Sequence, residues 1–403
     1  MPVNVNSSSL PPSLNALISV GPTNVPRFWA TVWSDILKRD IEASTRRKHL
    51  ASLDRFYVAV ARQRRTDCLD SLIANADADA LEDCLMGFLA QLQNEAAING
   101  VDRSSIWQTS VAFVVDMLRR AGNAAGARAA QIEAKLLRIE TLYNQLAPNP
   151  EKPPPPIRAL PALVVEDLYE IFMPGSPRNP FKTETLRWRN LLIFMLLLRL
   201  GLRRGEAALL IDNSFKRDFD PVSGKTIHWV DIEDTNDGDP RYELPSLKTP
   251  MSRRQLPVQQ EVVDLVDYFR KNHRGRADFP HLLMSQKAKP LALRSINKVF
   301  DIATEALSVE AKASLKKQGL DGVSPHDCRH TSAVVRMTLY KEAGFDIQQS
   351  IEKLRVYFGW SKKSDMPRHY AKAYFETSLA EVWSEKFDTY VDALRSINPE
   401  MSA

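Results

Sequence analysis

The sequence predicts a mainly α protein that carries a small antiparallel β-sheet in its second half, and three observations lead there. Apolar residues recur three and four apart through most of the chain, as in Leu81 to Leu92 and Ile106 to Leu118. Strand-like alternation is confined to a short central portion, where Thr226 to Ile232 reads TIHWVDI and runs into the turn-rich loop EDTNDGDP. Between the all-helical part and this α+β part stands Pro153 to Pro156, a run without amide donors that also disfavours helical geometry in the residue preceding each proline.

Taken in order, these signals divide the chain of 403 residues. Residues 1–26, rich in Ser, Asn and Pro and without sustained periodicity, read as a flexible leader. Residues 27–150 read as an all-α domain, and residues 151–157 as a stiff, extended linker. Residues 158–378 read as a mostly helical α+β domain, with Arg241 to Leu244 and Arg254 to Val258 expected as strands beside Thr226 to Ile232. Residues 379–403 hold apolar residues at helical spacing and predict a C-terminal helix, folded onto its own domain or exchanged with a neighbouring subunit.

Composition narrows the function classes without choosing among them. With 44% hydrophobic and 26% charged residues the chain has an ordinary globular balance, and Lys+Arg at 54 against Asp+Glu at 49 is only a mild basic excess. Three scattered cysteines do not make a disulfide framework or a CxxC metal site, which points to a reducing compartment. The N-terminus lacks a basic region followed by an apolar one, and the run Leu191 to Leu198 is too short to span a bilayer, so a cytoplasmic protein is expected. There is no Walker-type glycine loop, no HExxH and no dense carboxylate cluster, so no metal or cofactor is expected.

Breaking a phosphodiester without a metal requires an in-line nucleophile, cations on the non-bridging oxygens and a proton donor for the departing alkoxide. Each has a candidate. In GLRRGE, Arg203 stands where a long apolar helix ends at Gly201 and a new one begins, and Glu206 is placed to hold its guanidinium or cap the helix. In SLKTPMSRRQLPV, Lys248 falls in a turn between expected strands, on a flexible stem able to donate a proton. In SPHDCRH, His326 and Arg329 lie three apart at a helix start and share one face. In GWSKKSDMPRHYAKAYF, Trp360 offers an indole N–H and Tyr370 is the candidate nucleophile, with Tyr374 and Tyr357 as competitors. A phenol with a reference pKa near ~10 would need nearby cations such as Arg203 and Arg329 to favour its phenolate.

In this order the set resembles the tyrosine recombinase, or phage integrase, family: Arg203 with Glu206, Lys248, His326 and Arg329, Trp360, then Tyr370. The resemblance implies a site-specific DNA recombinase that cleaves and rejoins DNA through a 3′-phosphotyrosyl link, without ATP or metal. It implies that the all-α region is a core-binding domain and that the two domains form a C-shaped clamp on duplex DNA, with four protomers on two sites. Thr45 to Arg65 holds seven Arg or Lys against one acid, Asp54, and Arg46, Arg47, Lys48, Arg62, Arg64 and Arg65 are expected to contact phosphates. Accessory DNA-bending proteins are compatible with such an assembly. The neighbouring readings are type IB topoisomerase-like relaxation and a DNA-binding protein that keeps the fold without cleavage; His326 speaks against the first, because topoisomerases of that type usually carry Lys there.

Overall fold

The structure is a computed structural model that describes residues 2–4, 17–21, 25–38, 41–121, 127–143, 145–146, 158–222, 224–235, 239–241, 244–248, 250–362, 364–368 and 370. The expected linker at 151–157, Tyr374 and the expected C-terminal helix at 379–403 lie outside these residues. The chain divides into two compact units, Met1–Pro155 and Pro156–Ala403.

In the first unit a short ribbon, β1 (Pro2–Asn4) and β2 (Leu17–Ser19), precedes α1 (Phe28–Val32), α2 (Ala43–Arg64), α3 (Leu69–Ala74), α4 (Ala78–Asn99), α5 (Ser104–Ala121) and α6 (Ala127–Tyr143). The helices follow from periodicity: Leu50, Leu53, Phe56, Tyr57 and Val60 of α2 are buried against Leu81, Leu85, Phe88 and Leu92 of α4 and Val111, Phe113 and Val114 of α5. Asp77 caps α4 by accepting from the Ala80 amide at 3.1 Å, and Gly100 closes it at φ +61°.

The leader departs from the flexible segment expected of it. Pro2–Asn4 pairs antiparallel with Leu17–Ser19, the Ser19 hydroxyl donates to Asp54 Oδ1 at 2.5 Å, and Arg27 reaches the same oxygen at 2.8 Å. Asp54, the lone acid in the basic stretch of α2, therefore tethers the leader, a long-range pairing that local composition does not display.

In the second unit α7 (Ala162–Phe172), α8 (Glu184–Leu198) and α9 (Arg204–Leu209) lead into β3 (Phe215–Asp220), β4 (Lys225–Ile232) and β5 (Arg254–Pro257). Then come α10 (Gln260–Phe269), α11 (Leu293–Ala306), α12 (Val309–Lys317), α13 (Pro325–Glu342) and α14 (Ile347–Phe358). The fold class is mainly α with a small antiparallel sheet. Leu191 to Leu198 are fully buried on all sides, so α8 is the central post of the core, and Phe172 stacks on Phe194 with centroids 4.6 Å apart. Among the described residues no helix is long and apolar enough to cross a membrane.

The sheet order is β3-β4-β5, antiparallel throughout, with Phe215 opposite Val230 and Leu256 opposite Val230 on the other side. FKRDFD of β3, a polar stretch outside the expected strands, completes a hairpin with β4, and one sequence expectation changes here. Arg241 and Leu244, expected in a strand, lie outside one. Arg241 pairs with the buried Asp239 and donates to the carbonyls of Ala208 and Leu291, both at 3.0 Å, so its polar groups are spent on α9 and the α11 approach rather than on a ladder.

Helix ends set the positions that matter next. Gly201 follows α8 at φ +62° and Gly359 follows α14 at φ +59°, both in the left-handed region. At Gly201 an added Cβ would stand 2.5 Å from Phe358 Cε1 and 2.8 Å from Ser332 Oγ. Gly201→Ala is therefore expected to lower unfolding free energy by roughly 1–3 kcal/mol through backbone strain and overpacking, measured as a shift in the urea midpoint.

Candidate active site

The site is built around one buried carboxylate. Glu206, in the first turn of α9, accepts the Arg203 backbone amide at 2.8 Å and the Arg203 guanidinium at 2.5 Å, so it both caps the helix and holds the arginine. Arg254 on β5 grips the same carboxylate through two nitrogens at 3.1 and 3.0 Å. Arg329 on α13 stands 3.5 Å from it. The Glu206 side chain is 1% exposed, against 6% for Arg254, 3% for Arg329 and 18% for Arg203. Only Arg203 keeps appreciable access to solvent.

Backbone carbonyls at helix ends complete the cradle. Arg329 donates to Gly201 O at 2.5 Å and Phe358 O at 2.6 Å, and Arg254 donates to Tyr357 O and Ser252 O, each at 2.7 Å. The Ser252 hydroxyl accepts from Arg203 at 3.2 Å. The Tyr357 and Phe358 carbonyls can accept because they stand in the last turn of α14, where helical partners run out, while Gly201 lies just beyond α8 and Ser252 in the turn before β5.

Electrostatics follow from this packing. Burial raises the pKa of Glu206, but Arg329, Arg254 and Arg203 outweigh it and hold the carboxyl at about 2. Burial pulls Arg329 down to about 9, opposed by the Glu206 charge, which leaves the guanidinium cationic at neutral pH. Three cations thus face one anion, leaving two positive charges at a largely enclosed position.

Tyr370 closes the other side. Its ring stacks on Trp360 with centroids 5.4 Å apart and 14° between planes, and Trp360 stacks in turn on Phe358 at 4.8 Å. Its hydroxyl lies 2.6 Å from His330 Nδ1, and the His330 ring meets His326 edge to face at 4.4 Å. Burial pushes the phenol above its ordinary pKa, while Arg329 and Arg203 pull the other way. The arginines therefore act on Tyr370 with the expected sign, but desolvation is larger, and the phenol holds its proton.

His326 stays exposed on one side, and partial desolvation together with Arg329 holds its pKa below the usual histidine value; Lys248 lowers it further. Lys248 is exposed on the long connection between β4 and β5. The N-terminus of α13 is fixed by Ser324 and Asp327: the buried Asp327 carboxylate accepts the Ser324 amide at 2.8 Å and pairs with Arg158 at 2.7 Å.

Arg203, Glu206, Arg329, Trp360 and Tyr370 are thus in one contiguous cluster, with His326 joined through His330 and Lys248 close enough to perturb His326. Tyr357, a competitor for the nucleophile, is buried with Arg336 over its ring at 3.6 Å and hydrogen-bonded to its hydroxyl. Two participants had been missed. Arg254 shares strand parity with the buried Leu256, and an arginine on the core-facing parity of a strand is a readable sign of a buried partner. His330 stands four residues after His326, on the same face of α13.

The basic residues of α2 fare unevenly. Arg46 is corrected: its side chain is 2% exposed and pairs with Asp35 at 3.0 Å inside the first unit, so it is not on a surface that meets phosphate. Its place on the buried face of α2, one turn before Leu50, is the reason. Arg47 is half-buried, Lys48, Arg62 and Arg65 are exposed, and Arg64 is exposed while donating to Ala80 O at 3.1 Å.

No family model matches the chain, and no curated protein matches it. Among solved structures it is similar to the XerA recombinase, at 14% identity over 90% of this chain and 97% of that one, with a TM-score of 0.34. It is similar to the XerH site-specific recombinase bound to difH substrate in a pre-cleavage complex, at 13% identity over 86% and 91%, TM-score 0.39. It is also similar to a lambda integrase (75-356) dimer bound to a COC′ core site, at 15% identity over 85% and 93%, TM-score 0.41.

The carboxylate at the centre generates a stability prediction. An ionised Glu206 with a folded-state pKa of about 2, against ~4.3 in an unfolded chain, contributes stability that is full above that unfolded value. The contribution is lost as pH falls toward 2, and linkage sets it on the order of 3 kcal/mol. Glu206→Gln is expected to lower the unfolding free energy by about 3–5 kcal/mol at neutral pH. Urea titrations of both proteins at neutral and acid pH are expected to show that difference shrinking on acidification.

Proposed function

We propose that this protein is a site-specific DNA recombinase that cuts and rejoins DNA through a 3′-phosphotyrosyl link to Tyr370. The observation that carries this reading is the set of Arg203, Arg254 and Arg329 around the buried carboxylate of Glu206, with the Tyr370 hydroxyl beside it. A phosphodiester brings one negative charge, and its five-coordinate transition state spreads a second over the non-bridging oxygens. Two unneutralised guanidinium charges in a desolvated cradle stabilise that state more than the ground state.

In this mechanism Tyr370 Oη attacks the scissile phosphorus, the bond to the 5′ oxygen breaks, and the 5′ strand leaves as a hydroxyl. Arg203, the most accessible of the three arginines, and Arg329 hold the non-bridging oxygens with the Trp360 indole. Lys248, exposed on a long connection, protonates the leaving oxygen, and His326 supports the phosphate from the other side. Attack by a partner strand's 5′-hydroxyl on the phosphotyrosine completes the exchange, and the covalent link conserves the phosphodiester energy without ATP. The exposed Lys48, Arg62, Arg64 and Arg65 of the first unit supply phosphate contacts, and four protomers on two sites make the exchange reciprocal.

The test uses duplexes from the DNA flanking its own coding sequence, nicked so that cleavage releases a short strand and traps the enzyme. Wild type is expected to give a protein–DNA adduct stable to denaturing gels, and Tyr370→Phe none. Adduct loss in Tyr374→Phe alone would move the nucleophile by four residues. Tight, sequence-specific binding with no adduct from wild type would refute the catalytic reading.

A further inference from the structure

The mechanism above leaves the phenol's proton without a destination. Tyr370 is nearly fully buried and its hydroxyl retains its proton despite two nearby guanidiniums, so attack on phosphorus requires a base in contact with Oη. Among the described residues one side-chain nitrogen makes that contact: His330 Nδ1, at 2.6 Å. His326 meets the His330 ring edge to face rather than the phenol, and Arg329 and Arg203 are cations without an acceptor.

We propose that His330 is the general base of the reaction, taking the Tyr370 proton during cleavage and returning it during rejoining. The inference rests on the recombinase reading of the same site and assigns a residue that this reading leaves unused. In the neutral tautomer with hydrogen on Nε2, Nδ1 accepts from Oη. As the Oη–P bond forms, the Oη–H bond breaks and its proton passes to Nδ1, while the P–O5′ bond breaks and the 5′ oxygen takes a separate proton from Lys248. In the reverse step the partner's 5′-hydroxyl gives its proton to the Lys248 amine as its oxygen attacks phosphorus, the P–Oη bond breaks, and the departing phenolate recovers its proton from the His330 imidazolium. Electrons and protons balance in both directions with no further reactant.

The surroundings suit this role. His330 lies on α13 one residue after Arg329 and one turn after His326, so a single rigid helix carries the base, a phosphate-binding arginine and the second histidine. The stack of Phe358, Trp360 and Tyr370 fixes the phenol ring in front of it, and its short contact with Nδ1 is already within proton-transfer distance.

The experiment compares adduct formation on the nicked duplex by wild type, His330→Phe and His330→Asn, each checked for an unchanged thermal midpoint. Asparagine keeps a hydrogen-bond acceptor near the Nδ1 position without its basicity. Both variants are expected to cleave on the order of 100-fold or more slowly. A second duplex carries sulfur in place of the bridging 5′ oxygen, so that the leaving thiolate needs no proton. That substrate is expected to restore Lys248→Ala and to leave both His330 variants slow. Wild-type rates in His330→Asn would reduce the residue to a positioning hydrogen bond and overturn the proposal, as would rescue of the His330 variants by sulfur. Absence of an adduct from wild type would instead remove the recombinase reading itself.

Discussion

The carboxylate of Glu206 is the constraint on which the rest of the site depends. Three guanidiniums cannot be brought into one desolvated volume without an anion between them, and three different elements supply them: the start of α9, strand β5 and helix α13. Burying these charges costs desolvation that the ion pairs only partly offset, so the cluster is poorly explained as a stabilising device. It is better explained as a means of holding positive charge at a fixed point, with its geometry over-determined by neighbours.

Those neighbours are mostly the ends of helices. Gly201, just beyond α8, and Phe358 give carbonyls to Arg329, and Tyr357 gives one to Arg254, the latter two from the last turn of α14, where the helix has run out of internal partners. The left-handed glycines at 201 and 359 let the chain turn away immediately afterwards, which leaves these oxygens facing the arginines. The apolar second half of α8, Leu191 to Leu198, matters to the site for the same reason. Its buried length anchors the Gly201 carbonyl and the Arg203 turn to the centre of the core.

Against this rigid cationic floor, Tyr370 is held by a ring stack and one short hydrogen bond. Desolvation keeps the phenol protonated against the pull of Arg329 and Arg203, so the place of its proton is set by burial and by the partner at Oη rather than by the field of the arginines alone. In the proposed mechanism proton location and phosphate charge fall to different residues on adjacent faces of α13, His330 for one and Arg329 for the other.

The sequence by itself determined the helical periodicity of both units, the strand at Thr226 to Ile232, and the local motifs that make Arg203 with Glu206, His326 with Arg329, and Trp360 with Tyr370 candidates, while their meeting in one cluster was decided by the fold. These were legible because caps, apolar spacing and polar motifs act within a few residues of each other. The pairing of the leader with itself and with Asp54, the strand character of FKRDFD, the departure of Arg241 from any ladder and the burial of Arg46 were decided only by tertiary structure. Each depends on a partner outside the local motif, as Arg46 depends on Asp35 and Arg241 on the Ala208 and Leu291 carbonyls. The same holds for Arg254 and His330: parity and i+4 spacing hint at them, but only the packing of β5 on α9 and of Tyr370 on α13 assigns their contacts. A local pattern states which face a side chain occupies, and the fold alone states what stands opposite that face.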